Sequence, residues 1–210
     1  MEISTKILEQ TENYFQEKRD QFGTTVKGLD WNSETAQSIR FEQLTNLLKK
    51  EREDTFSLCD YGCGYGDYFG YLQEKGYHCK YTGMDLIQDS VSCARQKYGR
   101  NPDALFVQGA KLQETYDYIV ESGIFNIKGT VKEEEWEKYV IGILEEFNSH
   151  AKKGFAFNCL TKYSDAEYMK DHLYYADPLF YFDYAKKHFS RNAALLHDYE
   201  LYDFTIIVRK

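Results

Sequence analysis

The spacing of apolar residues along the chain changes near residue 55. Before that point it has a helical period: Ile3, Ile7, Leu8, Thr11, Tyr14 and Phe15 fall on one face, and Ala36, Leu44, Leu47 and Leu48 on another. Apolar positions three and four apart predict amphipathic helices. Asn32-Ser33 supplies a cap for the second helix, and Lys49-Lys50 lie at its end, where the helix dipole favours cations. Between the two runs Gly23 to Asn32 reads as a polar loop carrying an isolated Trp31.

After residue 55 short apolar runs alternate with helical ones. Strands are predicted at 56–60, 79–84, 104–108, 117–122 and 154–160, and helices at 66–75, 89–98, 131–149 and 178–189. The 131–149 helix is the best defined, since Trp136, Tyr139, Val140, Ile143, Leu144 and Phe147 keep one face. Asp177-Pro178 starts the last helix, a cap followed by proline in the first turn. Such alternation predicts parallel pairing through helical crossovers. The final runs, 193–197 and 201–209, are joined by a short Asp-Tyr-Glu turn and must be antiparallel, because a parallel pair needs a crossover of about a dozen residues. In the last run Tyr202, Phe204, Ile206 and Val208 share a face.

Composition narrows the function. With 210 residues the chain suits one ordinary domain. Lys+Arg 26 against Asp+Glu 34 leaves a net charge of -8, without the basic field that polynucleotide phosphates call for, so no nucleic-acid partner is expected. The five cysteines, an odd set with no Cys-x-x-Cys pair, read as packed, reduced thiols of a cytoplasmic protein. Met1-Glu2-Ile3-Ser4 opens no basic-then-apolar leader, and no run approaches the ~18 apolar residues of a membrane span, so no membrane partner is expected. His172, His188 and His197 lack ligand spacing, and no metal is expected.

The chemistry concentrates where the first strand meets its helix, at Asp60-Tyr61-Gly62-Cys63-Gly64-Tyr65-Gly66. Alternate glycines let backbone pass close beneath a ligand. Nineteen residues beyond Gly66, Asp85 ends the second strand, where a carboxylate can take both hydroxyls of a ribose. The dinucleotide fingerprint places its third glycine one residue later, where this chain has Asp67. A carboxylate in the first helical turn makes a poor phosphate site but suits a ligand with no phosphate and a net positive charge.

These residues resemble a class I S-adenosylmethionine-dependent methyltransferase: Asp-x-Gly-x-Gly-x-Gly after the first strand, an acid ending the second, and a terminal antiparallel hairpin. Gly28-Leu29-Asp30-Trp31-Asn32 with Gln37, Arg40 and Phe41, the segment Ser122 to Asn126, and His197-Asp198-Tyr199 are similar to a bacterial group of small-molecule methyltransferases. The resemblance implies an α/β, Rossmann-like, seven-stranded and mostly parallel sheet over 55–210, with residues 1–54 as a helical extension covering cofactor and substrate. It implies that Gly62, Gly64 and Gly66, with Tyr65 among them, underlie the cofactor, that Asp60 helps fix its amino end, and that Asp85 holds the ribose with Leu86 against the adenine. Many members carry an acid after the third strand; here Gly109-Ala110 stand there, leaving backbone to meet the adenine amine.

Arg40, one turn beyond Gln37, can hold the cofactor's carboxylate with two parallel bonds or be a solvated surface arginine. Trp31 either shields the cofactor or anchors its loop. Glu121 and Ser122 close the fourth strand, on the edge that borders the ligand crevice in open α/β sheets; Glu121 is a candidate base, a partner for a cationic acceptor or a cofactor ligand, and Ser122 a cofactor ligand. Asn126 is placed to orient the acceptor. Lys162, Tyr163, Tyr174 and Tyr175 are the candidate acceptor contacts, although the chain holds 19 tyrosines and most must be packing. The expected activity is direct in-line transfer of a methyl group to an O or N atom of a small polar metabolite, by a monomer or homodimer, with Glu121 or His197 as base where one is needed. A nicotinamide-dependent Rossmann enzyme and a non-catalytic S-adenosylmethionine-binding module are the alternatives. An RNA or protein methyltransferase would show a positive stripe along the crevice.

Overall fold

The computed structural model describes residues 2–29, 33–48 and 55–210. Trp31, Asn32, Lys49, Lys50 and the side chain of Ile3 lie outside that description. The described chain runs α1 (Glu2–Phe22), a 3-10 turn (Val26–Leu29), α2 (Glu34–Thr45), β1 (Phe56–Tyr61), α3 (Asp67–Glu74), β2 (Cys79–Asp85), α4 (Gln88–Tyr98), β3 (Ala104–Gln108), β4 (Tyr116–Glu121), α5 (Glu133–His150), β5 (Ala151–Leu160), α6 (Pro178–Tyr184), β6 (Asn192–Leu196) and β7 (Asp203–Arg209).

The strands form one sheet in the order β3-β2-β1-β4-β5-β7-β6, with β7 antiparallel to both β5 and β6 and the remaining pairs parallel. The order reverses between β1 and β4, and the exits of these two strands open the crevice where such sheets bind ligands. Successive strand side chains point to opposite faces. Leu58, Tyr118 and Val120 therefore join Phe41, Leu44, Tyr68 and Val91 in one core, while Cys59, Ile119 and Phe157 join Trp136, Val140 and Phe147 in the other. Helix α2 thus belongs to a layer of the sheet, and Ser33 caps it through the Ala36 amide at 3.1 Å.

Three elements depart from expectation. β5 begins at Ala151, directly after α5, because the bulge between Tyr116 and Tyr118 lets the polar start of the strand pair. The last helix is α-helical only to Tyr184 and continues as a π turn, Ala185–Phe189. β7 starts at Asp203, outside which Tyr202 is exposed, and it is buried on both faces from Asp203 to Val208, since Phe204, Ile206 and Val208 join the core with α5 and Ile207 the core with α2. Among the described residues no helix is long and apolar enough to cross a membrane.

Candidate active site

A cavity of about 1100 Å³ lies over the exits of β1, β2, β4 and β5. Its floor at β1 is the glycine loop. Gly62, Gly64 and Gly66 have φ of 83°, 52° and 76°, in the left-handed region that side chains rarely adopt. A Cβ on Gly62 would stand 2.2 Å from Ile124 Cγ2, and one on Gly64 2.9 Å from Leu29 Cδ1. The amides of Gly62 and Cys63 donate to Met84 O at 2.8 and 3.0 Å, tying the loop to the end of β2.

Asp85 is held from two sides. Its Oδ2 accepts from the Gly64 amide and its Oδ1 from the Ile87 amide, each at 2.8 Å. A carboxylate oxygen accepts two bonds, so both oxygens keep an accepting position. Asp60, also buried, accepts from the Tyr81 hydroxyl. Burial above all, with the charges of Asp85 and Asp67 adding to it against the Tyr81 bond, pushes the Asp60 carboxyl up to about 7. Burial likewise raises Asp85 despite its two amide donors. Asp60, Asp67 and Asp85 all line the cavity, and with Asp67 paired to Lys97 at 2.5 Å this half keeps an excess of acidic groups.

Gln37, Arg40, Tyr65, Leu86, Gly109, Ala110, Ser122 and Asn126 line the same cavity. Arg40 is committed inside the protein, where the sequence allowed a surface role: its Nε and Nη2 donate to Asp203 Oδ1 and Oδ2 at 3.0 and 2.6 Å. Asp203 is fully buried, and burial raises its carboxyl in spite of the guanidinium. Asp203 was missed in the sequence; its signal was a carboxylate opening an apolar strand, a residue type rarely buried without a partner.

Other candidates lie elsewhere. Gly66 caps α3 and faces Phe106 and Tyr98 outside the cavity lining. Glu121 is 0% exposed and does not line the cavity; its Oε1 accepts from the Ile124 amide at 2.6 Å, so it holds the 122–126 loop from beneath. Burial pushes its carboxyl well above the usual range, and its place behind the lining keeps it from direct contact with a molecule in the cavity. Lys162 is exposed and pairs with Asp177 at 2.7 Å, Tyr163 lies on the surface against His197, and the Tyr174 hydroxyl is buried 3.0 Å from that of Tyr181. Of the four expected acceptor contacts only Tyr175 faces the cavity, because Tyr174 bonds Asn126 O through its amide and turns its ring inward. Asn126 Oδ1 accepts from the Leu160 amide at 2.9 Å, leaving the amide nitrogen as its donor.

Helix α1 roofs the cavity with Leu8, Thr11, Phe15 and Arg19. Ile7 anchors it in the core, Gln10 Nε2 donates to Lys128 O at 3.1 Å, and the Arg19 guanidinium lies 3.0 Å from the Asp89 carboxylate.

Strand order, glycine loop and the acid that closes β2 together are of the methyltransferase type, and comparison with known proteins agrees. Residues 59–125 match the family model described as a methyltransferase domain. A Mycobacterium tuberculosis protein named as a methyltransferase, Rv1506c, is 45% identical over 157 residues, 75% of this chain and 95% of the relative. The chain belongs to the class I S-adenosylmethionine-dependent methyltransferases. The fold is also that of magnesium protoporphyrin IX methyltransferase from Synechocystis PCC 6803 with bound S-adenosylhomocysteine (TM-score 0.65, 15% identity, 84% of each chain). It is shared with DhpI in its SAM-HEP complex (TM-score 0.61, 11% identity, 97% of this chain and 95% of that one).

Proposed function

We propose that this enzyme moves a methyl group from S-adenosylmethionine to an O or N atom of a small-molecule acceptor by direct in-line displacement. The observation that carries this reading is the continuity of one cavity from the Asp85 carboxylate to Asn126 and Tyr175. Pockets that hold one drug-sized ligand run to roughly 1,000 Å³; this one exceeds that range and suits two molecules in contact.

The residues fit the cofactor. Asp85 has an accepting position on each oxygen for the ribose hydroxyls, Leu86 offers an apolar wall for adenine, and Gly109 and Ala110 offer backbone. The cluster of Asp60, Asp67 and Asp85 favours a cationic ligand over a diphosphate, which speaks against a nicotinamide enzyme. When bound, S-adenosylmethionine would supply an activated methyl carbon and would leave as the neutral thioether once the acceptor's lone pair had taken the methyl group.

The chain's own part is to position and to exclude water. Asn126, fixed through its oxygen, can donate to the acceptor atom, and Glu121 sets the height of its loop. Helix α1 closes the chamber, as a cover contributed by the first 54 residues. The enclosed shape and the net charge of -8 favour a small acceptor over a polynucleotide. All five cysteines are free, which supports work in a reducing cytoplasm.

The test is turnover of S-adenosylmethionine with pooled small metabolites, read as S-adenosylhomocysteine. Asp85→Ala should weaken cofactor binding at least about tenfold, the scale of one lost charge-assisted hydrogen bond. Equal cofactor affinity in Asp85→Ala and the parent protein would overturn the assignment.

A further inference from the structure

The half of the chamber over β4 and β5 says what kind of acceptor it takes. This inference rests on the methyltransferase reading and goes one step beyond it. The wall there is built from the segment between β5 and α6 and the turn before β7: Leu160, Met169, Leu173, Tyr175, Tyr199 and Leu201.

Each hydroxyl of this wall spends one bond inside the protein. Tyr175 Oη accepts from the Lys170 amide at 3.0 Å, the Tyr199 hydroxyl lies 2.9 Å from Thr205 Oγ1, and the Ser164 hydroxyl donates to Thr161 O at 2.7 Å. What remains for a ligand is chiefly ring faces and aliphatic surface, with the Tyr175 O–H and the Asn126 amide nitrogen as donors. A sugar or other polyol has more hydroxyls than these two donors can meet, and burying the rest here costs affinity. An aromatic ring asks only for faces and edges.

At the mouth stand two further rings. Tyr168 and Tyr202 are 60% and 42% exposed, line the cavity, and have centroids 6.3 Å apart at 37°. Tyr202 is fixed by its hydroxyl, which donates to Asp165. Beside them the rim carries Glu167 and Glu200 against Lys170, with the Arg40–Asp203 pair below. The rim is net negative, so an anionic acceptor is disfavoured.

We propose that the acceptor is an aromatic molecule without anionic groups, methylated on a hydroxyl or amine that meets Asn126, whose outer portion lies against Tyr168 and Tyr202. The experiment is calorimetric titration of the protein saturated with S-adenosylhomocysteine. The probes are para-phenylphenol, the same molecule with a carboxylate on its distal ring, phenol, and methyl glucoside. Para-phenylphenol should bind about tenfold tighter than its carboxylate, with no binding of the glucoside. The double variant Tyr168→Ala/Tyr202→Ala should weaken para-phenylphenol by about tenfold and leave phenol and S-adenosylhomocysteine unchanged. Tighter binding of the carboxylate or the glucoside, no binding of para-phenylphenol, or a double variant that binds it as the parent does would each overturn the proposal. The initial S-adenosylhomocysteine titration separates the two levels. If it fails, the methyltransferase reading fails and this inference with it; if it succeeds and the phenols do not bind, only the acceptor class is wrong.

Discussion

At the scale of single residues, the buried Arg40–Asp203 pair joins α2 to the first residue of β7 across 163 positions of sequence. Breaking a buried pair from one side leaves an uncompensated charge and costs about 3–5 kcal/mol, while replacing both partners with apolar residues is often neutral. Asp203→Asn should therefore lower the urea midpoint strongly, and Arg40→Met/Asp203→Leu should recover most of the loss. A double variant as unstable as the single one would show that the pair is not the source. Nothing local in the sequence announces this contact, since a helix residue and a strand residue so far apart are brought together only by the sheet order. The places of Asp85, Gly62 and Gly64 were readable for the opposite reason: they follow from a turn that must be left-handed and from a strand end that must face the crevice.

At the scale of elements, the strands and the helices after residue 55 were evident because period two and period 3.6 are written in the side chains themselves. The path of the segment between β5 and α6 was not. Whether Tyr174 or Tyr175 faces the chamber depends on the bond from the Tyr174 amide to Asn126 O, a tertiary contact. The same limit applies to α1, whose apolar face predicted a helix but not its place. That place gives α1 a testable property. It is fixed at the roof by Ile7, by Gln10 on the Lys128 carbonyl and the Thr130 hydroxyl, and by Arg19 beside Asp89, and Gly23 with φ of 66° follows it in open space. Exposed hydrogen bonds contribute only about 1 kcal/mol each, so the helix should open locally well below the global unfolding free energy. Hydrogen exchange of residues 2–22 should be faster than that of β1 and slow further when S-adenosylhomocysteine fills the chamber beneath. Gln10→Ala should speed it by about fivefold in the unliganded protein. Exchange in α1 that matches β1 and ignores ligand would rule out a movable roof.

At the scale of the whole molecule, the site places four buried carboxyls, Asp60, Asp85, Glu121 and Asp203, in a chain whose net charge is already -8. All four are raised, chiefly by burial. A carboxyl with a raised value binds its proton more tightly in the folded state than in the unfolded one, where it titrates near ~4. Between those two values the folded chain holds more protons, so stability falls as pH rises, by up to ~1.4 kcal/mol per pH unit for each such group. For Asp60 the window runs from the unfolded value up to about 7. The unliganded protein should thus lose stability between about pH 5 and about pH 7, the reverse of ordinary acid denaturation. Asp60→Asn should flatten that slope in proportion to its share. A cationic ligand over the glycine loop would favour the charged carboxylate and release its proton, so S-adenosylmethionine should bind more tightly as pH rises through about 7, and Asp60→Asn should remove that dependence. Urea midpoints and calorimetric titrations at several pH values read both effects. Stability that rises over this window in the unliganded protein, unchanged by Asp60→Asn, would mean that Asp60 enters the fold already charged, with its field met by a partner other than the ligand.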